Sequence, residues 1–185
     1  MGDLYLGIDS ATPYLSLALW SPDRGALAQR IELLERAHAA RIVGELEQLF
    51  AVAGRDRRDL TAIACGVGPG SYTGLRVGLA TASGLARALG VPLVGYDTLA
   101  AMAASTLAPG EVGIAALDAR REHVYAGVYR NDGPRIATLT PAAKIARSAL
   151  PSLHPGARPI EGVAPDPVTI ARSVTEGAPA EARYL

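Results

Sequence analysis

The hydrophobic pattern along the chain changes period several times, and each change marks a predicted element. Residues 4–9, 15–20 and 26–34 are apolar runs of strand length. The turn at 10–13 separates the first pair. The second pair is separated by Ser21-Pro22-Asp23-Arg24-Gly25, a strong turn signal. Helical spacing then takes over: Ile42, Val43, Leu46, Leu49 and Phe50 recur on one face and predict a helix over 37–53, closed by Gly54. A strand at 60–65, a helix at 73–89, a strand at 92–96 and a helix at 97–107 follow. Past Ala108-Pro109-Gly110, residues 112–118 and 123–130 read as paired strands about a turn at 119–122, with a further turn at Asn131-Asp132-Gly133-Pro134. Beyond Leu150 the chain is rich in Pro and Gly, and 167–175 is the last predicted helix.

The junction Gly66-Val67-Gly68-Pro69-Gly70-Ser71-Tyr72-Thr73-Gly74-Leu75-Arg76 stands out. It lies between a predicted strand and a predicted helix. Gly tolerates positive φ and close approach, Pro fixes a turn dihedral, and Ser71 and Thr73 are good N-cap residues. A helix start of this kind presents unpaired N–H groups that favour an anion. Two readings stand side by side: a phosphate cradle, or glycines that let the helix pack tightly against neighbouring backbone. No Lys-Ser or Lys-Thr follows, so the segment is not a P-loop. Gly68-x-Gly70 half-fits the dinucleotide fingerprint, with Thr73 where the third Gly belongs and Asp97 after the next strand. Against that reading, the glycine loop of a dinucleotide fold normally follows the domain's first strand.

Composition narrows the function classes. With 185 residues and 49% apolar content the chain can bury a real core. The 18 basic and 18 acidic residues cancel, which argues against a strong sequence-independent hold on RNA. A local basic patch such as Arg55, Arg57 and Arg58 is either an RNA contact or a solvated loop after a helix, and the even charge balance favours the loop. Cys65 is alone, so no intrachain disulfide forms, and no catalytic-thiol signature surrounds it. His38, His123 and His154 have no ligand spacing, and no metal site is expected. The N-terminus has no signal-peptide pattern and apolar runs are short of membrane length, so the expectation is a cytoplasmic protein with no membrane contact.

Four stretches together resemble the bacterial TsaB (YeaZ) family: Leu6-Gly-Ile-Asp9-Ser10-Ala-Thr12, the segment from Gly68 to Arg76, Leu117-Asp118-Ala119-Arg120-Arg121-Glu122-His123-Val124-Tyr125, and the ending Arg183-Tyr184-Leu185. The resemblance is strong to about residue 130. It implies an α/β fold of the actin/Hsp70/sugar-kinase type, two-lobed with mixed sheets, and three strands followed by helix-strand-helix-strand agree with one such lobe. The lobes are expected at 1–107 and 108–185, the second one reduced. It implies a non-catalytic partner that binds and activates a larger catalytic paralogue (TsaD-like) in threonylcarbamoylation of the adenosine beside a tRNA anticodon. A TsaE-like ATPase joins, tRNA is contacted indirectly, and the chain is a homodimer when alone. In the family the two long helices form the paralogue interface, with Leu46, Leu49, Leu75 and Leu79 as the candidates here.

For nucleotide the expected contacts are Asp9, Thr12, Gly68, Gly70, Ser71, Thr73 and Arg76. Ala11 stands where nucleotide-hydrolysing members of the fold class carry Gly, which weakens ATP binding. Asp9 and Thr12 either hold a magnesium-bound phosphate or close the turn locally. No catalytic residue and no cofactor are assigned to this chain, ATP being expected at the assembled complex. The rival is an ATP-dependent small-molecule kinase or ATPase of the same fold. A peptidase would need a nucleophile–base or metal pair that the sequence does not offer.

Overall fold

A computed structural model describes residues 2–34 and 37–176; the Arg183-Tyr184-Leu185 ending lies outside them. Three strands open the chain as an antiparallel meander: β1 (Tyr5–Asp9), β2 (Tyr14–Ser21) and β3 (Gly25–Leu33). Helix α1 (His38–Ala53) carries the chain back, and β4 (Ala62–Gly66) lies parallel to β1. Helix α2 (Tyr72–Leu89) leads to β5 (Leu93–Tyr96), parallel to β4. The sheet order is β3-β2-β1-β4-β5.

The caps explain the element ends. The Ser71 hydroxyl accepts from the Gly74 N–H at the start of α2. Gly54 and Gly90, at φ 61° and 69°, end α1 and α2 in the left-handed conformation. Asp97 caps the next helix, α3 (Thr98–Ala104), by accepting from the N–H groups of Leu99 and Ala100.

The second sheet repeats the scheme with less chain. Strands β6 (Val112–Asp118), β7 (His123–Asn131) and β8 (Ile136–Ala146) form a meander, and β9 (Arg158–Ile160) pairs parallel to β6, giving the order β8-β7-β6-β9. Where the first sheet has the sixteen-residue α1, the second has only a 3-10 segment, Arg147–Ser152. Helix α4 (Pro167–Arg172), capped by Asp166, follows and runs into a 3-10 turn at Ser173–Glu176.

The core divides by sheet face. Leu6, Ile8, Leu15, Leu17, Leu19, Ile63 and Cys65 pack under α1 and α2 with Ile42, Leu46, Leu49 and Ala82. The other face of the same sheet takes α4. A Cβ on Gly7 would stand 2.5 Å from the Pro167 carbonyl oxygen, so only Gly lets α4 sit this close. Helix α3 packs instead on the second sheet, where Leu99 and Met102 meet Ala115, Tyr129 and Ile160. Each sheet therefore holds a helix from the other half of the chain.

Most expected elements are present within a residue or two. Three differences stand. The helix expected over 97–107 ends at Ala104, and that over 167–175 turns 3-10 after Arg172. Strands β8 and β9 were not predicted. β8 is an edge strand with Pro141 inside it, tolerated because one side of an edge strand needs no ladder N–H.

Candidate functional site

Between the two sheets lies a cleft of about 700 Å³. Its walls are the β1–β2 turn (residues 11–13), the start of α2 (70–73), the end of β6 and the turn beyond it (116–120), Tyr125, and Glu161 with Gly162. A mainly apolar recess of about 470 Å³ adjoins it, lined by Tyr14, Leu33, Leu117 and Val163. The Tyr14 hydroxyl donates to the Gly162 carbonyl oxygen across the two walls, at 3.3 Å.

The glycine segment packs against the β1–β2 turn. A Cβ on Gly70 would stand 2.3 Å from the Ala11 carbonyl oxygen, and one on Gly74 would stand 2.0 Å from that of Ser10. The Ser71 N–H donates to the Ala11 carbonyl at 2.7 Å. The Ser10 hydroxyl donates to the Gly74 carbonyl at 2.8 Å, and Gly78 leaves room for it. Gly68, at φ 93° and followed by a cis peptide to Pro69, exchanges hydrogen bonds with Thr98: its N–H donates to the Thr98 hydroxyl, and its carbonyl accepts the Thr98 N–H. Of the two readings of this segment, the geometry supplies the close packing directly. Ser71 and Thr73 still line the cleft. Arg76 is exposed and lies over the Tyr72 ring, 4.2 Å from its centroid.

Asp9 does not line the cleft. It is fully buried, and both carboxylate oxygens are engaged inward: one accepts from the Ala11 N–H at 2.8 Å, the other from the Thr98 hydroxyl at 2.7 Å. A Cβ on Gly66 would collide with it at 1.8 Å. Burial raises the Asp9 pKa to about 6, the nearby Asp97 adds to the rise, and the two hydrogen bonds pull against it. Thr12 is buried too, its hydroxyl accepting from the Tyr14 N–H at 3.2 Å within the turn. The fold class implies a magnesium-bound phosphate at this turn, and the residues do not fit one: the carboxylate that would face the metal is committed to the interior.

Across the cleft, Arg120, Arg121 and Glu122 are three successive non-glycine residues with positive φ, 63°, 52° and 60°. Such residues cost about 1–3 kcal/mol each and persist only where their surroundings hold them. Here the Ala119 N–H donates to the His123 carbonyl, the His123 N–H to the Arg120 carbonyl, and the Arg147 N–H to the Glu122 carbonyl. Arg120 lines the cleft, and neither it nor Arg121 has a carboxylate partner among the described residues. Asp118 and Glu161 face the cleft as well, and Arg147 reaches both, at 3.9 and 2.9 Å. Glu161 and Gly162, which in sequence read as the reduced remnant of an adenosine-binding glycine segment, line the cleft, whereas Arg120 and Tyr125 carry no predicted site role. Both lie in the stretch 117–125 that carries part of the family resemblance, and the end of β6 matches the end of β1 in the repeated strand scheme.

The interface residues need correction. Leu49 and Leu75 are fully buried, Leu46 is buried in the same core as Leu49, and Leu79 packs partly buried against it. The outer face of α1 and α2 carries other residues: Val43 and Val52, 61% and 74% exposed, with Gly44, Glu47, Gln48 and Ala51 on α1, and Ala80, Ser83, Gly84, Arg87 and Ala88 on α2. A Cβ on Gly44 or Gly84 would meet nothing within 4 Å. Elsewhere, Arg55 is tied to Asp59 at 3.0 Å beside a 3-10 turn, leaving Arg57 and Arg58 exposed. His38 is buried in the first turn of α1, and its Nε2 has no hydrogen-bond partner. Cys65 is buried, and burial pushes its thiol pKa far up, which makes it unreactive. Among the described residues no group of three or more His, Cys, Asp or Glu side chains shares a metal-sized space, and no helix is long and apolar enough to cross a membrane.

Two mixed sheets built on one repeated strand scheme, exchanging helices and enclosing a cleft, define an actin-like two-lobed α/β protein with a shortened second lobe. A family model described as TsaD: tRNA N6-adenosine threonylcarbamoyltransferase matches residues 31–173. The chain is 37% identical over 129 residues to the tRNA threonylcarbamoyladenosine biosynthesis protein TsaB of Escherichia coli K12, covering 69% of this chain and 55% of that protein. It is 38% identical over 122 residues to the protein of the same name from Haemophilus influenzae, covering 65% and 51%. The structure of YeaZ from Pseudomonas aeruginosa superposes with a TM-score of 0.85 at 25% identity, over 99% of this chain and 100% of that one. The chain belongs to the TsaB (YeaZ) family, within the wider TsaD family. It spans about half the length of these two curated relatives.

Proposed function

We propose that this chain is a non-catalytic partner subunit, binding and activating a TsaD-like catalytic paralogue in threonylcarbamoylation of the adenosine next to the tRNA anticodon. The observation that carries the reading is the outer face of α1 and α2. Two mid-helix glycines there have no neighbour within the chain, and exposed Val43 is next to Gly44 on α1. Mid-helix Gly costs about 0.5–1 kcal/mol relative to Ala, and close approach of another protein's backbone is what offsets it. The same face serves a homodimer when the chain is alone. A TsaE-like ATPase, ATP at the assembled complex and tRNA held by the other subunits complete the proposed assembly, in the cytoplasm. The inward-turned Asp9 supports this reading over a kinase or ATPase acting alone.

The test is co-elution of the purified chain with the TsaD-like paralogue from the same organism. A complex is expected, and Gly84→Arg and Val43→Glu should each weaken it at least tenfold, with circular dichroism confirming that each variant folds. Failure of the wild-type chain to co-elute, or indifference of the complex to both substitutions, refutes the proposal.

A further inference from the structure

An edge strand offers unpaired backbone groups to another chain, and this fold guards its four sheet edges unequally. β5 and β9, four and three residues long, present little backbone. β8 carries Pro141 and Lys144, and its register shifts against β7. β3 has none of these guards from Ala28 onward: it contains no Pro or Lys, and Ile31 and Leu33 are 45% and 59% exposed. Its one register shift lies at the other end, opposite Leu19 and Trp20. We propose that β3 pairs antiparallel with β3 of a second copy of this chain, in a two-fold register centred on Ile31, which joins two five-stranded sheets edge to edge.

Backbone geometry and charge support the same register. The Leu34 N–H donates to the Pro13 carbonyl, and Tyr14 lies opposite Leu33, so the hydrogen-bonded pairs with β2 fall at Ala28, Arg30 and Glu32. The N–H and C=O groups of Gln29, Ile31 and Leu33 therefore point to the open edge. A pairing centred on Arg30 or on Glu32 sets like charges directly opposite each other, and one centred on Gln29 sets both charged residues opposite alanines. Centred on Ile31, the pairing puts Arg30 of each copy opposite Glu32 of the other at a non-hydrogen-bonded position, where Cα atoms come to about 4.5 Å and side chains lie closest. Ile31 then covers Ile31 of the other copy. Within one chain Arg30 already donates to Glu45 and Glu32, at 2.6 and 3.0 Å, so these charges are in place before the copies meet. The inference is independent of the partner reading, because β3 is a different surface from the outer face of α1 and α2.

Gly84→Arg blocks association through the α1–α2 face, so sedimentation equilibrium of that full-length variant isolates the strand contact; Val43→Glu takes its place if it fails to fold. A dimer is expected as the concentration approaches the millimolar range. Adding Ile31→Lys or Glu32→Arg should weaken it at least tenfold, while Leu139→Lys, on the β8 edge, should leave it within about twofold, with circular dichroism confirming that each variant folds. Amide hydrogen exchange reads the register directly: in the dimer the amides of Gln29, Ile31 and Leu33 should slow at least tenfold, and more than those of Arg30 and Glu32, which already bond to β2. If the β3 variants fail to fold, this exchange pattern decides alone. A chain that stays monomeric at millimolar concentration overturns the proposal. So does a dimer that both β3 substitutions leave intact, or one in which the three outward amides exchange at their monomer rates. Slowing of those amides only when the TsaD-like paralogue is added also overturns it, and assigns the edge to that partner.

Discussion

Asp9 holds three segments together with one carboxylate. It accepts from the turn after β1 through Ala11, and it touches α3 and the glycine loop through Thr98, whose hydroxyl also takes the Gly68 N–H. Removing a carboxylate from water disfavours its charged form, hence the pKa of about 6 against a usual 3.8. Between those two values the folded state binds more protons than the unfolded one, so this group's contribution to stability is complete below pH 3.8 and is lost as pH rises through about 6. The loss amounts to about 3 kcal/mol, at 1.36 kcal/mol per pKa unit. Glu45, Asp59 and Asp132 are shifted the other way by arginine partners or hydrogen bonds and lose stability as pH falls, which masks the effect in the wild type. The difference between wild type and Asp9→Asn isolates it. Denaturant unfolding should show Asp9→Asn gaining about 2 kcal/mol on the wild type between pH 4 and pH 7, whatever the offset caused by the rearranged Thr98 hydrogen bond. Parallel curves would mean that Asp9 ionises normally in the fold.

At the scale of elements, the glycines of the two long helices fall into opposed groups. Gly74 and Gly78 sit where a Cβ would strike Ser10, whereas Gly44 and Gly84 sit over open space. Gly84→Ala should therefore stabilise the chain, diluted to monomer, by about 0.5–1 kcal/mol, since it gains helix propensity and meets nothing within the chain. Gly74→Ala should destabilise it by about 1–3 kcal/mol, since a backbone carbonyl cannot move aside cheaply. Equal effects in thermal melts would contradict the packing described for α2. The same contrast shows what sequence could and could not convey. Periodicity revealed that α2 was a helix with many small residues, but it could not say which small residues were covered. It also marked Leu46 and Leu49 as prominent apolar positions, and such positions on an amphipathic helix belong to the core first, as Leu75 does on α2. β8 escaped notice because Thr138, Thr140 and Pro141 dilute its pattern and its register shifts against β7 near Val128. The three-residue β9 is too short for any period to show. The cleft arises from long-range pairing of loops: residues 11–13, 70–73, 116–120 and 161–162 are brought together by the repeated strand scheme. The glycine segment, the β1–β2 turn and the stretch 117–125 each carried a local signature, but nothing local showed that they meet.

For the whole molecule, the exchange of helices decides how the halves behave. A division at residue 107 separates the sheets, and we propose it as the lobe boundary, yet each sheet is covered by a helix from the far side of it. Ile170 of α4 is fully buried with Ala64 of β4 and Ala101 of α3, so one side chain joins both crossovers. The Asp166 N–H donates to the Ala101 carbonyl and closes the same corner. Pulling the lobes apart exposes this cluster as well as the faces beneath α3 and α4, so neither lobe keeps its core without the other. Native-state hydrogen exchange should give the slowest amides of β1 and β7 the same opening free energy. Ile170→Ala should lower both together, by about 2–5 kcal/mol, the usual range for deleting a buried isoleucine side chain. If only the β1 amides lost protection, the second lobe would be an independent folding unit, and the cleft would open by separation of the lobes without unfolding. Equal loss would instead mean that the exchanged helices hold the cleft walls in register, so that a ligand there stabilises the entire chain at once.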